Sequence, residues 1–165
     1  MDVVIRKAET ADAKTCADLQ IVSWRSAFRD ILSGPVMASK TRPERLKLVY
    51  EAAAASEEHH GFLILRDEKP CGMAWYGPAR RSEMKEAAEL ICIHIRPEEK
   101  GRGLGRRLIA HVLADMKKQG YAECYLWVFS ANEKARAFYE RTGFMADGLR
   151  KSTLEAEEIM YRKTL

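Results

Sequence analysis

Ile93-His94-Ile95-Arg96-Pro97-Glu98-Glu99-Lys100-Gly101-Arg102-Gly103-Leu104-Gly105-Arg106-Arg107 joins an apolar run to a glycine-rich turn, and the turn to an amphipathic pattern. The run begins upstream at Glu89-Leu90-Ile91-Cys92, with apolar residues at successive positions. That predicts a strand buried on both faces, and so a central one. Downstream, Leu104, Leu108, Ile109, Val112, Leu113 and Met116 share one helical face, and Gly120 ends the helix. N–H groups at a helix start have no partner and carry partial positive charge, so they hold phosphate oxygens well. Glycines at 101, 103 and 105 let the main chain approach an anion and take conformations that a Cβ disfavours. Lys100, Arg102, Arg106 and Arg107 gather positive charge at the same end. The ligand expected there is a di- or triphosphate-bearing cofactor.

Several sites use such a turn. A dinucleotide fold needs a third small residue where Arg106 stands, and an early strand–helix–strand unit. A P-loop needs Gly-Lys followed by Ser or Thr, and Gly105 is followed by two arginines. What remains is a cradle for the pyrophosphate of coenzyme A, or a plain turn with a solvated basic flank.

Outward from the turn, the chain divides into short elements. Val3 to Lys7 alternates as a strand. From Thr10, an N-cap candidate, Ala13, Cys16, Ala17, Ile21, Trp24 and Phe28 recur at helical period, up to the breaker Ser33-Gly34-Pro35. A second helix is expected from Thr41, with Pro43 in its first turn and Leu46, Val49, Tyr50 and Ala53 as its buried stripe. Phe62-Leu63-Ile64-Leu65, the turn Asp67 to Pro70, and Cys71 to Tyr76 read as a hairpin. Arg80 to Glu86 is a charged loop. Tyr125 to Phe129 is a strand, Asn132 to Gly143 a helix, and Phe144 to Lys151 and Glu157 to Lys163 two last strands. The order β-α-α-β-β-β-α-β-α-β-β predicts a mixed α/β fold, without the strict alternation of a doubly wound sheet.

Length and composition agree. The 165 residues suit a single domain spanning 1–165, and 47% hydrophobic with 32% charged residues suits a packed core. The net charge of +4 demands no anionic partner. Met1 to Lys7 lacks the order of a secretory leader, and no apolar run approaches the ~20 residues of a membrane span. Cys16, Cys71, Cys92 and Cys124 form no C-x-x-C pair, and the histidines show no metal-ligand spacing. A reduced, cytoplasmic protein with no metal is the expectation.

Ile93 to Pro97 followed by Lys100-Gly101-Arg102-Gly103-Leu104-Gly105 resembles the signature of the GNAT superfamily of acetyl-CoA-dependent N-acetyltransferases. In that signature, Gln/Arg-x-x-Gly-x-Gly/Ala follows a hydrophobic strand and a proline. Lys100 departs from it, keeping the charge without the planar bidentate geometry of arginine. Leu126-Trp127-Val128, Asn132, Ala135, Phe138-Tyr139 and Gly143-Phe144 resemble the family's next motif, Asn-x-x-Ala-x-x-Phe-Tyr-x-x-x-Gly-Phe. The element order matches across nearly the whole chain; only Trp24 to Ala55, which helps form the acceptor site in this family, matches loosely. The fold implied is a central mixed sheet of about six to seven strands flanked by about four helices.

The resemblance implies acetyl-CoA as co-substrate and a primary amine, on a small molecule or peptide, that attacks the thioester directly while both substrates are bound. Backbone groups of Ile93, His94 and Ile95 would lie along the pantetheine arm. Lys100, Gly101, Arg102, Gly103, Leu104, Gly105 and Arg106 would hold the phosphates, and Asn132, Ala135 and Tyr139 would complete the cofactor contacts. Tyr139 matches the family's general acid, set against a packing role for its ring. A phenol of pKa ~10 protonates a departing thiolate only where the site favours the transfer. Asn132 is a good N-cap in its own right, a role that can coexist with cofactor contact. Glu89, at the family's frequent carboxylate position, is the candidate base, set against a surface carboxylate paired with a neighbouring strand. Relatives that carry a glutamate on the following strand differ here, where Trp127 stands. Trp24, Arg25, Phe28 and Arg29 fall where relatives build the acceptor pocket. No membrane and no nucleic acid is expected, and a homodimer is left open. Two rivals stay in view. One is a non-catalytic acyl-CoA-sensing module on the same fold; the other is a nucleic-acid binder, which lacks a recognisable motif.

Overall fold

The protein, a computed structural model describing residues 2–165, has five helices and seven strands. In chain order these are β1 (Val3–Lys7), α1 (Ala13–Ala27), α2 (Gly34–Lys40), α3 (Pro43–Ala55), β2 (His60–Arg66), β3 (Lys69–Pro78) and β4 (Ala87–Ile95). Then follow α4 (Leu104–Lys118), β5 (Glu123–Phe129), α5 (Glu133–Arg141), β6 (Met145–Thr153) and β7 (Ala156–Thr164). The strands form one sheet in the order β1-β2-β3-β4-β5-β7-β6. Every neighbouring pair is antiparallel except β4 and β5, which run parallel.

Strand alternation sorts the core into two layers. On β2, Phe62 and Ile64 join Leu108, Val112 and Met116 of α4 beneath one face. Leu63 between them joins Cys16 and Leu19 of α1, Tyr50 of α3, and Met73 and Trp75 of β3 on the other. The sheet is thus covered on both faces, which is why its central strands read as nearly continuous apolar runs. The hairpin turn is tight because Asp67 and Glu68 both take positive φ (49° and 66°), the twist that two-residue hairpins need.

The fifth helix is α2, in the segment expected to be a breaker. Ser33, Gly34 and Pro35 stop α1, but they also start a helix: the Ser33 hydroxyl accepts from the Val36 N–H at 3.3 Å, and the proline occupies the first turn. Thr41, expected to open the next helix, instead donates its hydroxyl to the Met37 carbonyl at 2.8 Å, at the end of α2. Near the N-terminus, Thr10–Asp12 is a 3₁₀ turn, and Asp12 rather than Thr10 does the capping, accepting from the Glu9 N–H at 2.8 Å. The stripe expected on α3 is only half buried. Tyr50 is covered, whereas Val49 is 53% exposed. Among the described residues, no helix is long and apolar enough to cross a membrane.

Candidate active site

The central strand pair comes apart. β3 and β4 are in register along seven residue pairs, as are β5 and β7. β4 and β5 hold only three, Ala87–Glu123, Ala88–Cys124 and Glu89–Tyr125. Beyond Glu89 and Tyr125 the strands diverge, leaving the β5-facing edge of Ile91 to Ile95 unpaired inside the molecule. The register with β3 also shifts there, Trp75 facing Cys92 and Tyr76 facing Leu90, so Ile91 is bulged out of the ladder. An interior strand edge without a partner offers a row of N–H and C=O groups to an extended amide-bearing ligand. The resulting cleft of about 1760 Å³ exceeds a typical single-ligand pocket of roughly 300–1,000 Å³.

At one end of this cleft lies the glycine turn. Gly101 and Gly103 have φ of 78° and 79°, and Gly103 is the left-handed N-cap of α4. An added Cβ at either would meet nothing within 4 Å, so conformation and ligand access, not packing, account for these glycines. Gly105 differs: a Cβ there would come within 3.3 Å of the Phe138 ring, so this glycine lets α4 and α5 pack closely. The first return bond of α4 runs from the Arg107 N–H to the Gly103 carbonyl (3.1 Å), which leaves the N–H groups of Leu104, Gly105 and Arg106 at the open end. Lys100 and Arg106 line the cleft. Arg102 is partly engaged by Glu99 at 3.4 Å, and Glu99 also accepts from Arg66 at 2.6 and 2.9 Å.

α5 forms the wall opposite β4. The Asn132 side chain caps it by accepting from the Ala135 N–H at 3.3 Å, and both residues line the cleft. Tyr139 is packed among Phe138, Phe144 and Tyr161, with ring centroids 5.5, 5.8 and 6.4 Å away. Its hydroxyl has no hydrogen-bond partner among the described residues, and burial raises its pKa, so it stays protonated at neutral pH.

The strand residues split by face. Ile93 and Ile95 pack towards the α4 layer and line the cleft. The His94 side chain turns to the other face, where Nδ1 lies 2.9 Å from the Ser23 hydroxyl of α1, so only its main chain shares the edge used by Ile93 and Ile95. Its Nε2 is buried without a partner. Burial, with Lys100 adding to it, depresses its pKa to about 4, and the imidazole is neutral. α1 bridges the split: Ser23 ties it to β4, and the Phe28 ring meets Phe129 of β5 at 5.0 Å.

Glu89 sits at the fork of the split, 4% exposed. Its Oε1 accepts from the Tyr125 hydroxyl at 2.7 Å and from Arg80 Nε at 2.9 Å, and Oε2 accepts from Arg80 Nη2. Burial alone would raise its pKa, but Arg80 and Tyr125 outweigh burial and hold the carboxyl below its usual range. A carboxylate so occupied is a poor proton acceptor, and its burial rules out the alternative of a surface carboxylate. Neither Arg80, nine residues away in a charged loop, nor Tyr125 is recognisable from local pattern as a partner of Glu89. Tyr125 becomes visible only once the register Glu89–Tyr125 is known. Among the described residues, no cluster of three His, Cys, Asp or Glu side chains is placed to hold a metal ion.

A sheet split at its centre, with a glycine turn and the open N-terminus of α4 at one end and Tyr139 on the lining, has the shape of an acyl-CoA-type transferase. Residues 21–144 match the model of the acetyltransferase (GNAT) family. The chain is 30% identical over 146 residues to the 5-NmdU N-acetyltransferase of Pseudomonas phage PaMx11, covering 88% of this chain and 89% of that one. It is 26% identical over 158 residues to the spermidine N(1)-acetyltransferase of Thermoplasma acidophilum, covering 89% and 91%. Among solved structures, the PaiA N-acetyltransferase of Thermoplasma acidophilum in complex with coenzyme A superposes with a TM-score of 0.87 at 22% identity, over 100% of both chains. The chain belongs to the GNAT family of acetyltransferases. It is an N-acetyltransferase, and its acyl donor is acetyl-CoA.

Proposed function

We propose that this protein works as one domain and moves the acetyl group of acetyl-CoA to a primary amine by direct attack, with both substrates bound in the split between β4 and β5. The observation that carries the reading is the early end of the β4–β5 ladder at Glu89–Tyr125, with the unpaired edge of β4 beyond it. The phosphates would sit at the α4 N-terminus on the N–H groups of Leu104, Gly105 and Arg106, with Lys100 and Arg106 supplying charge. The amide-bearing arm would pair with the open edge at Ile93 and Ile95. A main-chain N–H near the bulge would polarise the thioester carbonyl as negative charge develops on it.

The amine nitrogen then bonds to the carbonyl carbon, the tetrahedral intermediate collapses, and the C–S bond breaks with its electron pair going to sulfur. Tyr139 gives its proton to that thiolate, and the proton shed by the attacking nitrogen, carried directly or through water, restores the phenol, whose anion burial disfavours. Its hydroxyl has no other partner and is protonated at neutral pH, as an acid must be. Direct transfer is favoured over an acyl-cysteine intermediate: burial pushes the thiol of Cys92, the cysteine lining the cleft, up to about 12, leaving almost no thiolate nucleophile. For Glu89 we favour an anchoring role, holding Tyr125 and Arg80 at the fork, and the amine then reacts from its neutral fraction. That fraction rises about tenfold per pH unit below an amine pKa of ~10.

The acceptors named for relatives span a polyamine, 5-NmdU and the alanine of ribosomal protein bS18, so they mark the amine class without choosing within it. The test is thiol release from acetyl-CoA across a panel of amines, with mass detection of the acetylated product. Acetyl-CoA binding without transfer to any amine would favour the sensing module instead.

A further inference from the structure

Resting on the transferase reading above, we infer that the acceptor is a monoamine carried on an aromatic or apolar body, rather than a polyamine. The acceptor side of the cleft is the face roofed by α1 and α3. It leaves Val49 exposed and Trp24 and Phe28 partly exposed. Val49 of α3 is 53% exposed on the cleft. Trp24 and Phe28 of α1 meet edge to face at 5.1 Å, and Phe28 meets Phe129 of β5 at 5.0 Å, so the rings form one continuous wall. Trp127, on the same face of β5 as Phe129, holds the Lys151 ammonium 4.3 Å from its ring centroid, which marks this wall as able to seat a single ammonium by cation–π attraction.

The charges around this wall do not suit a polycation. The carboxylates lining the whole cleft are Asp30, Glu99, Glu133 and Glu158, against six cations, Lys40, Arg80, Lys100, Arg106, Lys134 and Arg141. Glu158 already accepts from the Thr153 hydroxyl and lies 3.9 Å from Lys151. Glu89 behind the wall is held by Arg80. Glu99 is paired with Arg66 and Arg102, so Asp30 and Glu133, the latter in the first turn of α5, are the lining carboxylates without an ion pair among the described residues. A polyamine carries its charges on a chain of methylenes, and each ammonium leaving water needs a carboxylate of its own. A single ammonium on a ring needs one such group, while the ring replaces water on Trp24, Phe28 and Val49.

The experiment compares phenethylamine with spermidine on the full chain, by calorimetry with coenzyme A bound and by steady-state turnover with acetyl-CoA. The expected result is a kcat/KM for phenethylamine about 100-fold above that for spermidine. Phe28→Ala should raise the phenethylamine KM about tenfold with the acetyl-CoA affinity unchanged. Val49→Glu, a change at an exposed position, should narrow the preference by improving spermidine. Spermidine used as well as phenethylamine, or better, would overturn the inference and leave the transferase reading intact. Phenethylamine bound in preference to spermidine but never acetylated would support the aromatic wall and defeat the transferase reading. Neither amine bound would overturn the inference.

Discussion

The two ends of the cleft are built from different materials. The end proposed for the cofactor is main chain: two left-handed glycines, the open N–H groups of α4 and the unpaired edge of β4. The end proposed for the acceptor is side chain: Trp24, Phe28, Val49, Trp127 and Arg80, with Glu89 and Tyr125 bonded to one another behind them. Main-chain recognition depends on a few glycines at fixed spacing, so it leaves a motif that can be read from sequence. Side-chain recognition draws on residues far apart in the chain and leaves no such mark. Under the proposed function, the first end would fix which donor binds, and the second which amine.

The sharpest break of that contrast is at Gly103. Gly103→Val puts a β-branched side chain at a φ of 79° and into the space proposed for the phosphates, while its Cβ meets no protein atom within 4 Å. It should cost two charge-assisted hydrogen bonds at ~1.5 kcal/mol each, or about 10²-fold in acetyl-CoA affinity. The local strain, of order 1–3 kcal/mol, should leave the protein folded. Calorimetry with acetyl-CoA beside a urea titration checks both; a folded variant of unchanged affinity would remove the cradle.

A similar effect, in stability rather than binding, should come from His94, where the two ends meet. Its folded pKa of about 4 lies below the ~6.5 of an unfolded histidine. As pH falls from 6.5 to 4, the unfolded chain takes up the proton first, so the stability present above 6.5 drains across that window. The loss is about 3 kcal/mol. His94→Gln should flatten this limb in urea titrations at a series of pH values, and a limb unchanged in the variant would assign the acid sensitivity elsewhere.

The smallest effect belongs to Glu89. Glu89→Gln weakens the Arg80 contact, and because Arg80 is largely exposed the stability loss should be modest, about 1–2 kcal/mol. Its activity defect should be independent of pH, as befits an anchor. A defect that shrinks as pH rises would restore Glu89 as the base, since the neutral amine then needs no help.

Legibility followed the same division. The seven strands, the central place of β4, the glycine turn and the Asn132 cap were all readable, since each follows from local periodicity or a capping residue. α2 was missed because Ser33-Gly34-Pro35 serves equally to end one helix and begin another, and short-range pattern does not separate the two uses. On α3, Val49 read as core because an apolar residue at helical spacing looks the same over a core and over a cleft. His94 shares a main-chain edge with Ile93 and Ile95, but the contact of its side chain with Ser23 joins residues 71 apart and leaves no local pattern. The Glu89 cluster needed the β4–β5 register, a long-range fact.

The account rests most directly on the Tyr139 hydroxyl at the rim of the split. In a single-turnover experiment with acetyl-CoA already bound and amine added in excess, Tyr139→Phe should keep its acetyl-CoA affinity, because only an oxygen without a protein partner has been removed. Release of the coenzyme A thiol should slow by ~10²-fold. A variant that binds acetyl-CoA normally and releases thiol at the unaltered rate would contradict the assignment, and would leave the tyrosine a packing residue of α5.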